Sequence, residues 1–492
     1  AKLCHMVISK NHKVEGLILL NHGIFTFGSS AKQSYDRMIK LVTLAENFLN
    51  KQKKLIKYNI NNKKINITDV QLCIRNLYHS FTNKRWIIKF NNKVEDVKFT
   101  NRKDLFNLFN KGPVTPDHVI RIKSEPLIIP NKHLSSSKMI SNHINAYIKK
   151  YKNYFKKYKK NITNSKIADP LPRIIILEGI GFLSIGLNKK EMQVSYDIFD
   201  AMKKVIIKAN LVSKFKSINN TDIFKMEYWP LERAKLNNQN TKKFNGNVAV
   251  ITGGAGKIGS AIANKFINEN IEVILLDKNF KNLDINIKKK CLCIECDLTN
   301  NSQINKALNK ILKLFGGIDI LIANSGAAFQ GSMLNVKKDI LEKSLEVNFY
   351  SHHNIVQKIA NIMVSQGFGG SISLNLSKQS INPGKDFGPY GIAKASSLFS
   401  MKQYALEFGK YNIRVNGINA DRIKSGLLTD QFIKERAKAR NMSSTEYLNN
   451  NLLQKQVTAE DVAEAFFAQL SFEKTTGNII TVDGGNIEAS LR

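Results

Sequence analysis

The sequence predicts an α/β protein whose C-terminal half, residues 244–492, is a doubly wound parallel sheet preceded by a second α/β region. After residue 247, short runs rich in Val and Ile alternate with helix-period runs, and a glycine-rich turn follows the first of them. Such alternation is typical of a parallel sheet covered by helices on both faces, with ligands at the carboxyl ends of the strands. The predicted strands are 248–251, 271–276, 291–296, 318–323, 371–376, 413–418 and 479–482.

Length and composition indicate a soluble protein of several domains. A chain of 492 residues exceeds one compact core, and about 100–200 residues per domain suggests two or three domains. Hydrophobic residues make up 43% and charged residues 23%, and no apolar stretch approaches the roughly 18 residues of a membrane span. We therefore expect no membrane partner. The chain opens on Ala1 close to a buried strand, so we expect its start to be a cut through a domain.

The five cysteines indicate a reducing, cytoplasmic location and not a disulfide framework. Three of them, Cys291, Cys293 and Cys296, lie in one short run, which raises a metal site as an alternative. The run is apolar and strand-like and has no distant partner pair, so we interpret these residues as buried strand cysteines.

The net charge of +36 raises nucleic acid or an anionic surface as a possible partner. The lysines are spread along the whole chain, however, and in the densest stretch, 147–160, tyrosines recur at helical spacing between them. This pattern indicates an amphipathic helix with a solvated basic face, and nucleic-acid binding is the less favoured interpretation. We expect a small-molecule substrate and a homo-oligomer.

The region before residue 244 divides into three predicted segments. They are 1–50, with a strand at 16–20, a turn at 21–28 and a helix at 30–48; 51–236, with strands at 86–90 and 94–99 and a turn at 111–116; and a polar linker at 237–243. Residues 174–199 repeat the order strand, glycine-containing turn and helix of the first segment, with Ile180 in place of His22. Duplication and decay would produce this echo, and chance similarity is the alternative.

A glycine-rich loop predicts a dinucleotide site. The first strand of the C-terminal half ends in Thr252-Gly-Gly-Ala-Gly-Lys-Ile-Gly259, and a helix follows at once. Glycines let the backbone approach a pyrophosphate, and the helix N-terminus supplies N–H donors. Asp277 closes the second strand, where a carboxylate accepts hydrogen bonds from the adenosine ribose and repels a 2′-phosphate. This favours NAD over NADP.

Tyr390 and Lys394 are the candidate catalytic pair. Residues at i and i+4 share a helix face, and a nearby ammonium favours the phenolate form of a tyrosine whose phenol is otherwise a poor base at neutral pH. A solvated pair on a helix is the common interpretation of this spacing taken alone. The ordered series of polar residues at the strand ends favours catalysis; its further members are Asp297, Leu298, Asn324, Gly326, Asn348 and Ser377.

Taken together, these motifs resemble those of the short-chain dehydrogenase/reductase family over about 240 residues, and Arg414-Val-Asn416 and Val482-Asp-Gly-Gly485 extend the match. The resemblance implies that Tyr390 exchanges the proton, Lys394 lowers the pKa of Tyr390 and holds the nicotinamide ribose, Ser377 binds the reacting oxygen and Asn348 positions a relay water. The cofactor-binding residues that it implies are Gly253, Gly256, Ile258, Gly259, Asp277, Asp297, Leu298, Asn324, Gly326, Tyr390 and Lys394.

The sequence departs from the family pattern at three places. Lys257 replaces the middle glycine of the loop, and Gly256 is a candidate to serve the same turn; a lysine there also weakens the preference for NAD. The family's Asn-Asn-Ala-Gly is Ala323-Asn-Ser-Gly326 in this sequence, and its Pro-Gly after the sixth strand is Ala420-Asp421. Ser380 lies close to Ser377 and is a second candidate for the catalytic serine.

The first segment resembles the end of a class II aldolase/adducin domain. Leu17-Ile-Leu-Leu-Asn-His-Gly-Ile-Phe-Thr-Phe-Gly28 carries the resemblance, which implies that His22 is one zinc ligand of an incomplete site and that aldolase activity belongs only to a longer form. The whole order resembles the bifunctional rhamnulose-1-phosphate aldolase/short-chain dehydrogenase family, which implies a dehydrogenase acting on lactaldehyde or a related sugar. A catalytically silent scaffold of the same fold is the alternative, and retention of the catalytic residues argues against it.

Overall fold

The computed structural model describes residues 2–19, 23–52, 55–58, 65–161, 166–236, 242–426 and 428–486. The chain divides into two compact units. Unit 1 comprises Ala1–Ile65, Asn91–Ile185 and Met192–Gln239, and unit 2 comprises Asn66–Phe90, Gly186–Glu191 and Asn240–Arg492. None of the helices described is both long enough and apolar enough to cross a membrane.

The elements before residue 240 mix helices with short strands. In chain order they are α1 Lys2–Lys10, β1 Gly16–Leu19, β2 Gly23–Thr26, α2 Ala31–Lys51, α3 Ile67–Thr82, β3 Ile87–Asn91, α4 Val94–Thr100, α5 Leu105–Phe109, α6 Pro116–Ile122, β4 Leu127–Ile129, α7 Ser137–Tyr158, β5 Ile174–Leu177, β6 Gly181–Gly186, α8 Lys189–Val212, α9 Asn220–Glu227 and α10 Pro230–Ala234. Strands β6, β5 and β4 lie side by side in that order.

The two copies of the sequence echo have the same local structure. β1 and β2 form an antiparallel hairpin followed by α2, and β5 and β6 form an antiparallel hairpin followed by α8. The prediction of a turn over 21–28 is wrong from Gly23 onward, because Gly23–Thr26 is itself a strand. Leu20, Asn21 and His22 lie outside the described residues, as does most of the predicted linker.

The predicted strand at 94–99 is wrong, because these residues form α4. Glu95 and Asp96 occupy the first turn, where carboxylates are favoured by the helix dipole. Val94 is 87% exposed, whereas Asp96 and Phe99 are buried at helical spacing. The apolar alternation that suggested a strand therefore belongs to a short helix with one buried face.

The basic helix is confirmed as amphipathic. In α7, Ile140, Ile144, Ile148 and Tyr151 are buried on one face. The lysines at 149, 150, 152, 156 and 157 are exposed.

The C-terminal elements alternate regularly. They are β7 Val248–Thr252, α11 Lys257–Asn268, β8 Glu272–Asp277, α12 Ile285–Lys290, β9 Leu292–Glu295, α13 Asn301–Phe315, β10 Ile320–Ala323, α14 Lys338–Leu345, α15 Ser351–Gln366, β11 Gly370–Asn375, α16 Gly388–Phe408, β12 Ile413–Ala420, α17 Asp430–Lys438, α18 Ser444–Asn449, α19 Ala459–Ser471 and β13 Ile479–Val482. All seven predicted strands are confirmed.

These seven strands form one parallel sheet in the order β13-β12-β11-β10-β7-β8-β9. The order reverses between β7 and β10, and ligands bind at such a switch point in open α/β sheets. β9 contains the cysteine run, with Cys291 and Cys296 buried beside its ends; burial raises the pKa of the Cys291 thiol to about 12.

Helix α3 folds with the parallel sheet as part of unit 2. Arg75 is fully buried, and its Nη2 lies 2.7 Å from Asp319 Oδ2 at the start of β10. Its Nε donates to the carbonyl of Trp86 at 2.8 Å. The amide of Gln71 donates to the carbonyl of Leu312 in α13 at 2.9 Å. Residues 66–90 are therefore tied to this sheet by buried polar contacts.

Candidate active site

The turn between β7 and α11 has the backbone that close approach of a phosphate requires. Gly253 has a left-handed φ of +61°. An added Cβ at Gly259 would lie 2.2 Å from the carbonyl oxygen of Gly253, so only glycine fits there. α11 begins directly after the turn, and the first N–H groups of a helix bind anions. The residues present fit the pyrophosphate of a dinucleotide.

Gly256 was the candidate to replace the middle glycine of the loop, whose position Lys257 occupies. Gly256 caps α11 with an ordinary φ of −74°, and its added Cβ would meet nothing closer than 3.4 Å. It therefore does not take over the steric requirement for the missing glycine. Lys257 is the first residue of α11, and its side chain is exposed.

Asp277 lies at the end of β8, as predicted, and fixes the loop beside it. Its carboxylate accepts hydrogen bonds from the backbone N–H of Ala255 at 2.9 Å and of Lys278 at 2.7 Å. Asp297 Oδ2 lies 3.0 Å from the ammonium of Lys278. Burial raises the pKa of Asp297, but hydrogen bonds from Thr299 and Lys278 leave it below its usual value. A small cavity of about 60 Å³ is lined by Gly253, Leu276, Asp277, Lys278, Cys296, Asp297, Leu298, Thr299, Ser325, Val347 and Ser351.

Asn324 joins three strand ends at the switch point. Its amide donates to the carbonyls of Thr252 at 3.1 Å and Gly253 at 3.3 Å, and its carbonyl oxygen accepts from Asn375 at 2.8 Å. Gly326 follows, and an added Cβ there would lie 3.0 Å from Asn348 Oδ1. The ends of β7, β10 and β11 are therefore held in one polar network.

Asn348 lies in a π-helical turn between α14 and α15, and π-bulges are frequent at functional sites. Its side-chain amide accepts from the N–H of Ala327 at 3.0 Å and donates to the carbonyl of Ala327 at 3.0 Å. Its own backbone carbonyl accepts from the hydroxyl of Ser397 at 3.0 Å. Asn348 therefore fixes the loop that follows β10.

Ser377, Tyr390 and Lys394 come together as the sequence predicted. Tyr390 lies in the first turn of α16, and the neighbouring Ser377 side chain acts to lower the pKa of its hydroxyl. Lys394 Nζ donates to the carbonyl of Asn375 at 2.8 Å and lies 5.7 Å from the ring centroid of Tyr390. The hydroxyl of Ser380, by contrast, is buried and has no hydrogen-bond partner in the described part of the chain. The geometry favours Ser377 over Ser380 as the partner of Tyr390.

Burial dominates the electrostatics of this cluster. It raises the pKa of Tyr390 to about 12, against a lowering by the Ser377 side chain, and it lowers the pKa of Lys394 to about 8. The lowering of the Tyr390 pKa by Lys394 that the resemblance implies stays a prediction, because burial is the largest influence on this pKa here.

His352 was missed in the sequence. It is 2% exposed, and its Nε2 lies 2.7 Å from the carbonyl oxygen of Ser325. Burial and the charge of Lys394 lower the pKa of His352 to about 3, so the ring is neutral. One feature of the sequence could have identified His352: it follows Asn348 by four residues, and this spacing places two side chains on the same face of a helix.

A cavity of about 600 Å³ opens beside Tyr390, with Ser377 and Ile258 also in its wall. Asp421, one of the departures from the family pattern, is part of this wall. Its Oδ2 accepts from the amide of Asn486 at 2.7 Å and lies 3.3 Å from Lys378 Nζ. Asp421 therefore joins Lys378 and Asn486 in a polar network at the place of the expected Pro-Gly.

Comparison with known proteins agrees with this architecture. Residues 253–486 match the family described as "Enoyl-(Acyl carrier protein) reductase", and residues 66–236 match "Aldolase class II, second domain". The oxidoreductase YuxG of Bacillus subtilis is 26% identical over 97% of this chain and 73% of its own length. Short-chain dehydrogenase reductase 3a of Arabidopsis thaliana is 27% identical over 49% of this chain and 96% of its own length. The structure of a short-chain type dehydrogenase/reductase from Mycobacterium marinum is 24% identical, with a TM-score of 0.45, over 49% of this chain and 95% of that one.

The fold and the family matches define a nicotinamide-dependent oxidoreductase. Residues 253–486 form a reductase domain of the short-chain type, and residues 66–236 match the second domain of class II aldolases. The zinc prediction for His22 lies outside the described residues. Within the described ranges, no group of three or more His, Cys, Asp or Glu side chains could hold a metal ion.

Proposed function

We propose that the chain is an NAD-dependent oxidoreductase that interconverts a small carbonyl compound and its alcohol. Lactaldehyde or a related compound of deoxy-sugar (rhamnose-type) catabolism is the proposed substrate. The observation that carries the proposal is that Ser377 and Tyr390 share the wall of a cavity of about 600 Å³, with the buried Lys394 5.7 Å from the Tyr390 ring centroid. The nicotinamide, when bound, supplies or accepts the hydride.

The side chains of Ser377, Tyr390 and Lys394 would transfer the proton that the substrate oxygen gains or loses. In reduction, the Tyr390 hydroxyl gives its proton to the substrate oxygen while the adjacent carbon gains the hydride. The ammonium of Lys394 stabilises the phenolate left behind, and the Ser377 hydroxyl hydrogen-bonds the reacting oxygen. In oxidation, the phenolate takes the proton of the alcohol. We propose Asn348 as the residue that positions a relay water.

Replacing Tyr390 tests this assignment. Tyr390→Phe removes only the hydroxyl, so we expect turnover to fall by about 10²–10⁴-fold, as is typical of losing a general acid–base group. NADH binding, followed by fluorescence titration, should be retained. The assay is NADH-dependent reduction of lactaldehyde and a panel of small aldehydes and ketones, with NAD-dependent oxidation of the matching alcohols.

Two serine variants provide the control. Ser377→Ala should lower turnover, whereas Ser380→Ala should not, because the Ser380 hydroxyl contacts no polar group of the described chain. Near-normal turnover of Tyr390→Phe would show that the catalytic residue is misassigned. NADH binding without turnover of any compound in the panel would favour the silent scaffold.

Cofactor choice is proposed from Asp277. Its carboxylate lies at the end of β8 in the wall of the small cavity, where a 2′-phosphate would be repelled, while the neighbouring ammonium of Lys278 is paired with Asp297. We expect NADH to bind about tenfold more tightly than NADPH or better, since like-charge juxtaposition costs several kcal/mol. Asp277→Asn, which keeps a hydrogen-bond acceptor for the loop, should narrow the difference. Equal or tighter binding of NADPH to the unmodified protein, in the same titration, would contradict the choice of NAD.

A further inference from the structure

The cavity beside Tyr390 is lined by more positive than negative charge. Five cationic side chains contribute to its wall, and Asp421 is the only carboxylate among its lining residues; the cations are Lys378, Lys385, Arg422, Arg436 and Arg440. Such an excess of one sign in a cleft concentrates ligands of the opposite sign. The composition of the wall therefore points to an anionic ligand.

Asp421 compensates two of these cations. Its Oδ2 lies 3.3 Å from Lys378 Nζ and 3.5 Å from Arg422 Nε. The remaining donors of Arg422 include Nη1, which donates to the carbonyls of Tyr447 at 3.2 Å and Asn450 at 2.7 Å. Lys378 and Arg422 are thus engaged by the protein itself.

Arg436 and Arg440 have no such compensation. Neither forms an ion pair with a carboxylate in the described part of the chain, and their hydrogen bonds go only to carbonyls: Arg436 Nη2 to Lys385 at 3.5 Å, and Arg440 Nη1 to Arg436 at 3.4 Å. Aromatic rings hold the guanidinium of Arg436, with Cζ 4.9 Å from the centroid of Phe387 and 5.1 Å from that of Phe432. A pre-positioned guanidinium with free donors suits carboxylate and phosphate oxygens.

The two arginines belong to the substrate side of the cavity. Of the residues assigned to the cofactor, Ile258 and Tyr390 line this cavity, whereas Gly253, Asp277, Asp297 and Leu298 line the small cavity at Asp277. Arg436 is in α17 and Arg440 follows it, and both share the cavity wall with Tyr390 and Ser377. An anionic group bound there would sit in the same chamber as the reacting oxygen.

We propose that the substrate is an anionic carbonyl compound or alcohol, whose carboxylate or phosphate is bound by Arg436 and Arg440. The inference rests on the proposed oxidoreductase function and narrows its substrate class to an anionic relative of lactaldehyde, which is itself neutral. Arg440 is exposed and Arg436 is half-buried, so the site is open enough to exchange its ligand with solvent.

Matched pairs of substrates test the proposal. Glyceraldehyde is compared with glyceraldehyde 3-phosphate, and butanal with succinic semialdehyde, so that each pair differs by one anionic group and the two pairs distinguish phosphate from carboxylate. We expect kcat/KM to be higher for the charged member of at least one pair. Arg436→Met and Arg440→Met should each lower kcat/KM for that compound by about tenfold or more, as expected for a lost hydrogen bond to a charged group. The neutral member should change little.

Control variants separate this effect from others. Lys438→Met removes an exposed cation of the same helix that does not line the cavity, and should leave the preference intact. Arg436→Lys should restore part of the preference. If the unmodified protein turns over neutral compounds as well as charged ones, and the arginine variants leave the ratio unchanged, the inference fails while the oxidoreductase function stands. If the arginine variants weaken NADH binding in fluorescence titration by the same factor, the arginines serve the cofactor and the inference also fails. If no compound of either kind turns over, the proposed function itself fails.

Discussion

Two buried lysines, Lys394 in unit 2 and Lys123 in unit 1, differ in whether a carboxylate lies beside the ammonium group. Both are nearly inaccessible, and burial lowers the pKa of both ammonium groups. Lys123 Nζ lies 3.4 Å from Glu227 Oε1 and 3.3 Å from the hydroxyl of Tyr151. Lys394 donates to a backbone carbonyl and forms no ion pair with a carboxylate in the described residues. Burying the charge of Lys123 has a desolvation cost that the neighbouring carboxylate of Glu227 partly offsets. No carboxylate in the described residues offsets the corresponding cost for Lys394.

The difference supports the proposed catalytic role of Lys394 and a structural role of Lys123. Tyr151 donates to Glu227 at 2.6 Å, and the hydroxyls of Tyr151 and Tyr228 lie 2.9 Å apart, so the surroundings of Lys123 are a closed network. The uncompensated Lys394 lies beside a tyrosine that faces a cavity. Perturbed groups of this second kind cluster at functional sites, whereas a closed ion-pair network is a structural feature. Replacing each lysine with methionine and measuring the free energy of unfolding compares the two surroundings directly.

The largest expected change is the loss of stability in Lys123→Met. Removing the ammonium leaves Glu227, 3% exposed, as an unpaired buried carboxylate. Breaking a buried pair in this way costs about 3–5 kcal/mol, which urea denaturation would measure. Lys123→Met combined with Glu227→Gln should recover part of the loss, and a single variant as stable as the unmodified protein would show that the network is not closed as described.

Lys394→Met should change stability in the opposite direction. Below pH 8 the Lys394 side chain is protonated in both the native and the unfolded state, so folding carries the full desolvation penalty of the ammonium group. Between about pH 8 and 10.5 the native state loses this proton first, and the free energy of unfolding rises with pH. Removing the charge should therefore stabilise the protein at pH 7 by at most roughly 3 kcal/mol, with the gain fading toward pH 10. Urea denaturation at several pH values measures this. A destabilised variant at pH 7 would contradict an uncompensated charge.

Lys204→Met is the exposed control, and we expect it to have the smallest effect on stability of the three lysine variants. Lys204 is 65% exposed and lies 2.6 Å from Asp200. Solvent screens such pairs, so we expect an unchanged melting temperature in a thermal scan. A clear decrease would mean that exposed pairs in this chain contribute more than the comparison of buried lysines assumes.

Strong local patterns made the C-terminal half predictable. Most of its seven strands are apolar runs followed by a polar residue, as burial on both faces of a parallel sheet favours, whereas β12 also contains Arg414, Asn416 and Asn419. The glycines at 253 and 259 and the pair Tyr390–Lys394 are fixed by short-range geometry. The N-terminal errors occurred where short segments allow two periodicities, as at Val94–Thr100 and Gly23–Thr26.

Features of the site that depend on distant parts of the chain could not be predicted. Nothing near Arg436 in the sequence shows that its guanidinium lies over Phe387, and nothing near Asp421 shows that it faces Lys378. The pKa of Tyr390 was expected to fall because the spacing to Lys394 was visible, whereas the extent of burial, which decides the direction, was not.

The ion pair between Arg75 and Asp319 has a consequence for the modular design of the chain. Asp319 is fully buried, accepts the backbone N–H of Val248 at 2.8 Å and contacts Arg75 and Arg85, both of which precede the predicted linker by about 150 residues or more. A gene segment starting at the linker would encode all seven strands and the proposed catalytic residues, yet it would lack both arginines that contact Asp319. Such a segment would also lack helix α3, which packs beside this carboxylate. We therefore expect a segment cut at the linker to be less stable than one that begins near Asn66, as urea denaturation would measure.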